Sequence, residues 1–214
     1  MNLKELIELY RAQSGDSNEG YFCDDALLTL YANEAQTEAC RRGQLLVTTS
    51  RASLPANKEV FELNPNAIKI TRAFVNRQPV VVLSVQEMDA MHPGWQFDSP
   101  QSQVTHMVSG VATGVLHLWP CPSVQSELVL TVQALPSKQL CHERDKPEIR
   151  PESHPGLVDW MLYRAYSRED NDLYNDAKAL LALRRFEAEF GTKASARNEA
   201  WVRSGSEMMP GPIA

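Results

Sequence analysis

The chain has 214 residues (24.0 kDa), of which 43% are hydrophobic and 22% charged, with a formal net charge of -6 and a sequence pI near 5.4. That is the composition of an ordinary globular protein with one good-sized core and room for a second, small lobe. The acidic balance argues against a dedicated DNA or RNA binder, which shows a basic face. No stretch approaches the roughly 20 apolar residues of a membrane span.

In chain order, Leu3, Leu6, Ile7 and Tyr10 fall at helical spacing and predict a short amphipathic helix over 2–13. The alternation of Lys and Glu with Leu in this first segment is not that of a signal peptide. The stretch 14–20 is polar and glycine-containing, a loop. Asp24 or Cys23 can cap a second helix running to about Arg42, with Arg41 and Arg42 at its C-terminal end and Gly43 as the stop. From 44 to 150 the character changes. Runs rich in β-branched residues at 67–75, 79–84, 104–109, 115–119 and 127–135 are separated by turn residues such as Asn76-Arg77-Gln78 and His92-Pro93-Gly94. Leu128, Leu130 and Val132 alternate with Val129, Thr131 and Gln133, a period of two. The charged stretch 137–152 reads as a connector. Pro155 suits a first helical turn behind Ser153 or His154 as cap, and a helix follows to about Tyr166. The last long helix spans about 171–190 and stops at Gly191.

These segments predict an α+β chain, mainly a helical bundle of four helices, with an inserted small antiparallel β-sheet of four to six short strands and an extended C-terminal tail. The bundle takes residues 1–43 and 151–191, the β-rich insertion 44–150, and the tail 192–214. The closing helices offer more apolar surface than one stripe. Trp160, Tyr163, Tyr166, Leu183 and Phe186 are therefore expected to be shared between the core and a neighbouring molecule. In the tail, Trp201, Met208 and Met209 are expected to anchor a partner, because a large indole in a polar tail gains by docking.

No catalytic constellation is apparent. There is no GxSxG, Walker loop, HExxH or dinucleotide-binding glycine fingerprint. His92, His106, His117, His142 and His154 are scattered and read as surface or packed residues rather than metal ligands. The acidic pairs Asp24-Asp25 and Glu169-Asp170 stand at helix starts, where capping explains them. Glu187 and Glu189 read as solvated helix positions. The four cysteines form no CxxC pair and read as reduced, with Cys40 a small apolar residue of its helix. No cofactor or metal is called for.

Five segments in order resemble the bacteriophage head-to-tail adaptor (connector) protein family: DDALLTLYANEAQTEACRRGQLL, FELNPNAIKITRAFVNRQPVVVLSVQEMDAMHPGW, GVLHLWPCPS, ELVLTVQALPSK, and HPGLVDWMLYRAYSREDNDLYNDAKALLALRRFEAEFG. The resemblance covers roughly residues 3–191 and leaves the tail unmatched. It implies a structural, non-enzymatic virion protein that self-associates into a ring, a dodecamer, beneath the portal protein at one capsid vertex. The ring would join capsid to tail, extend the DNA channel and present a platform to tail (nozzle or tail-tube) proteins. DNA would pass without sequence-specific binding, and no membrane would be involved. The implied location is the capsid–tail junction, with the host cytoplasm during assembly. Two other readings remain open at this point. One is a tail accessory protein with cell-wall hydrolase activity, which needs two carboxylates about 5–10 Å apart. Glu34, Glu38 and Asp159 are its first suspects. The other is a non-viral helical interaction module.

Overall fold

The computed structural model describes residues 1–16, 22–101, 103–169 and 173–193. The chain divides into two compact units.

The helical unit is built from Met1–Leu46 and Leu135–Lys193. Helix α1 (Leu3–Ser14) opens on a capping box. Asn2 accepts from the Glu5 amide, and the Glu5 carboxylate accepts from the Asn2 amide. Gly15 closes it in the left-handed conformation (φ 76°). Helix α2 (Asp25–Gly43) is capped by Asp24, which accepts from Leu27 N at 2.8 Å. Gln44 takes the left-handed position after it (φ 50°), one residue beyond the expected glycine stop. The stretch 135–150 contains no regular element, yet Leu140 and Ile149 are buried in the helical core. It is fastened to α2 by side chains. Asn33 accepts from Leu140 N (2.8 Å) and donates to Leu140 O (2.9 Å), while Gln36 donates to Lys138 O. Glu148 accepts from the Ser137 and Lys138 amides, closing the segment on itself.

The β unit spans Val47–Ala134. Its strands are β1 (Leu46–Leu54), β2 (Val60–Glu62), β3 (Ala67–Val75), β4 (Gln78–Pro79), β5 (Val81–Ser84), β6 (His106–Ser109), β7 (Val115–Trp119) and β8 (Ser126–Ala134), with helix α3 (Val85–Met91) after β5. They form two four-stranded sheets, β1-β8-β3-β4 and β2-β7-β6-β5. Asn76 and Arg77, both at positive φ, make the two-residue turn joining β3 to β4. Leu128, Leu130, Val132 and Ala134 point into a core shared with Met107, Leu116 and Leu118 of the other sheet. Sheet pairing is not purely antiparallel. Strands β5 and β6 run parallel, with α3 and a 3₁₀ turn at Trp95–Phe97 on the connection between them.

The chain returns to the helical unit for α4 (Leu157–Tyr166) and α5 (Asp176–Phe190). Neither Ser153 nor His154 caps α4; a 3₁₀ turn at Pro151–Ser153 leads in, and Gly156 holds the N-cap position without a side-chain bond. His154 is buried instead, its Nε2 3.0 Å from Ile149 O. Asn175 caps α5 by accepting from Lys178 N, so the helix starts later than apolar spacing suggests.

The expected fold class is therefore corrected. The described residues hold five α-helices and eight strands in two sheets, not a mainly helical four-helix bundle with a small inserted antiparallel sheet. The physical reason is that the missed elements lack an apolar signature. In β1, residues 47–51 are all exposed, so no alternation marks the strand; β2 has three residues; α3 has only seven and follows β5 directly, at the Ser84–Glu87 capping box.

Asn33→Ala is expected to strip both partners from the buried Leu140 backbone. A cost of about 1–3 kcal/mol should appear as a lower urea midpoint at unchanged slope, with faster tryptic cleavage after Lys138.

Candidate partner-binding surfaces

Helices α4 and α5 meet through aromatic rings. Trp160 lies 5.2 Å from Tyr163 and 5.0 Å from Phe186 between ring centroids, and Phe186 lies 4.7 Å from Phe190. The guanidinium of Arg42 sits 5.2 Å from the Trp160 ring and 5.3 Å from Phe186. Trp160, Tyr166 and Phe186 are buried in this unit's own core, and Phe186 is fully so, while Tyr163 and Leu183 are half-buried at its edge. Trp201, Met208 and Met209 lie outside the described residues. Apolar surface that the helical unit does expose lies elsewhere on α5, at Leu180 (55% exposed) and Leu181 (49%), with Leu30 on α2. Helical spacing alone could not separate these leucines from the core face, because both stripes of α5 are apolar.

Leu181 borders a cleft of about 540 Å³ between α4 and α5, lined also by Asp159, Tyr166, Lys178, Arg185 and Glu189. Burial raises the Asp159 carboxyl above its ordinary range, against the opposing pull of Arg185. Burial likewise raises Glu189, a Ser153 hydrogen bond lowers it, and the charge of Asp159 raises it further. Glu189 is exposed, as expected of a solvated helix position, and its carboxylate lies over Gly156, where a Cβ would collide with it. Of the three hydrolase suspects, Glu34 lies 3.1 Å from Arg164 and Glu38 is held by Arg41 and Arg42. Asp159 alone of the three lines this cleft. Burial pushes the Cys40 thiol up to about 12, which makes it an apolar filler rather than a nucleophile.

The β unit carries a second cleft, of about 280 Å³, which sequence reasoning missed. Trp95, Phe97, Asp98, His117, Trp119 and Glu59 line it. The Trp95 indole N–H donates to Asp89 (2.8 Å) and the Trp119 indole N–H to Asp98 (2.9 Å). The Trp119 ring has His92 at 4.6 Å and His106 at 5.3 Å. Burial, and then the charge of His92, lower the pKa of His106. The signal in the sequence was the WQFD run directly after Pro93-Gly94, two aromatics beside an acid at a turn.

Among the described residues no group of His, Cys, Asp or Glu could hold a metal ion, and no helix is long and apolar enough to cross a membrane. The two units each have a core of their own and leave apolar side chains exposed. The family model described as SU10 adaptor protein matches residues 1–210. The chain belongs to the SU10 adaptor protein family, in keeping with a phage head-to-tail adaptor of structural role. No curated protein matches the chain.

Because Asp159 is raised in the folded state, its ionisation opposes folding, and the penalty is present above its folded pKa and absent below its unfolded one. Asp159→Asn should accordingly raise the melting temperature at pH 7. The difference should close as pH falls to about 4, the ordinary carboxyl range, in thermal scans run across that interval.

Proposed function

We propose that the chain forms a dodecameric ring beneath the portal protein, joins capsid to tail and extends the DNA channel. The observation that carries this reading is the SU10 adaptor match across residues 1–210. Two physical features support it. A closed ring uses a different patch on each side of every copy, and α5 keeps Leu180 and Leu181 exposed after its own core is complete. The net charge of -6 suits a channel wall past which DNA must slide, since basic contacts would hold phosphate.

In this reading Tyr163 and Leu183, at the edge of the core, extend a contact that Leu180 and Leu181 begin. Trp160, Tyr166 and Phe186 support it from within. Trp201, Met208 and Met209 in the tail reach the portal or a neighbouring copy. Tail (nozzle or tail-tube) proteins would take the opposite side of the ring. The protein would be found at the capsid–tail junction of the virion, after a period in the host cytoplasm during assembly.

The test is negative-stain microscopy of the full chain alone and mixed with the portal of the same phage. An added ring under the portal is the expected result; folded protein that leaves the portal bare would sink the reading. A chain ending at residue 191 should keep its circular dichroism spectrum and melting temperature yet add to the portal poorly. A collapse of its melting temperature would instead place the tail in the core.

A further inference from the structure

The cleft of the β unit has aromatic walls and acidic groups, and neither Lys nor Arg is among its lining residues. Phe97 stands at it with 89% of its surface exposed, the most exposed large apolar side chain among the described residues. Its backbone is fixed there: the Phe97 amide donates to Gly94 O (2.9 Å) and the Asp98 amide to Trp95 O (3.3 Å). Val111, also exposed, adds apolar surface to the lining, and Met91 is exposed at the end of α3. A large ring held in water by an ordered turn forgoes the gain of its own burial and stays open to another molecule.

We propose that this cleft docks a lysine or arginine side chain presented by a loop of a partner protein. Charge complementarity selects that occupant. Glu59 is exposed and Asp98 uses Oδ2 for the Trp119 indole, which leaves its second oxygen to accept from an incoming cation. Phe97, exposed at the cleft, offers ring surface to a cation. An acidic side chain would meet two carboxylates and neither lysine nor arginine among the lining residues. A sugar could stack on the rings and bond the carboxylates, but it would gain nothing from their charge. The inference goes beyond the adaptor reading and does not depend on ring formation, because it concerns a cleft complete within one unit of one chain.

The test follows the tryptophan indole N–H signals of the ¹⁵N-labelled full chain during titration with N-acetyl-arginine amide. N-acetyl-glutamate amide and N-acetylglucosamine are titrated in parallel, and the Trp119 signal is assigned with Trp119→Phe. The expected result is a saturable shift of the Trp119 signal with the arginine probe alone. Its apparent Kd should rise about threefold when NaCl goes from about 50 to about 500 mM. It should rise about fivefold in Phe97→Ala and in Glu59→Gln, two exposed positions whose replacement leaves the core untouched. A shift of equal size with the glutamate probe, a shift with the sugar alone, or no saturable shift with any probe overturns the proposal.

Discussion

The helical unit depends on one buried cation. The Arg42 side chain is 4% exposed, with Nε 3.1 Å from Glu38 and a terminal nitrogen 3.4 Å from Glu187. Its guanidinium also faces the rings of Trp160 and Phe186. A charge removed from water must be neutralised and hydrogen-bonded where it sits, since a buried ion that loses its partner costs about 3–5 kcal/mol. Glu38 belongs to α2, Glu187 and Phe186 to α5, and Trp160 to α4. A single guanidinium thus fixes three helices against one another. Two aromatic rings of the closing helices, Trp160 and Phe186, face an ion the protein has buried.

That constraint moves the surface available to partners. With the Trp160–Phe186 side of α5 committed to Arg42, the apolar residues left exposed are those turned away from it, Leu180 and Leu181. The cleft beside Leu181 then brings Asp159 and Glu189 together in a partly dry place, where the charge of Asp159 raises the cost of ionising Glu189. Lys178 and Arg185 line the same cleft, and the charge of Arg185 pulls the Asp159 carboxyl back down. The mixed charge describes a surface able to take salt bridges as well as leucine contacts.

Much of this architecture was legible in the sequence where apolar periodicity was strong. The spacing of Leu3, Leu6 and Tyr10 located α1, the Asp24 cap and basic end located α2, and β3 and β7 fall on their expected bounds. What stayed hidden lacked periodicity. Residues 47–51 of β1 have no buried face, and β2 is too short to alternate. The stretch 137–152 reads as a charged connector because Leu140 and Ile149 are single apolar residues in it. Asn33 and Gln36 of α2, far away in the chain, hold it in place. The candidate surfaces were harder still. Burial of Phe186 against exposure of Leu180 turns on Arg42, which spacing alone presents as a helix-terminal charge. The β-unit cleft assembles Glu59, Trp95–Asp98 and Trp119 from three separate stretches, and only their tertiary meeting gives them a common chemistry.

Each unit has a complete core of its own, and this bears on how an adaptor is put together. The helical core closes around Leu6, Leu28, Met161 and Phe186, and the β core around Met107, Leu116 and Leu128, each from residues of one chain. Neither needs a neighbour to supply a missing side chain among the described residues. Contacts with other molecules are therefore open to the side chains that the folded chain leaves exposed. Such contacts are individually weak when the chain is alone and add up when many copies meet a symmetric template. The fold is thus set by the buried side chains of each unit, and the exposed ones, Leu180 and Leu181 on α5 and Phe97 in the β unit, are left for contact with other molecules.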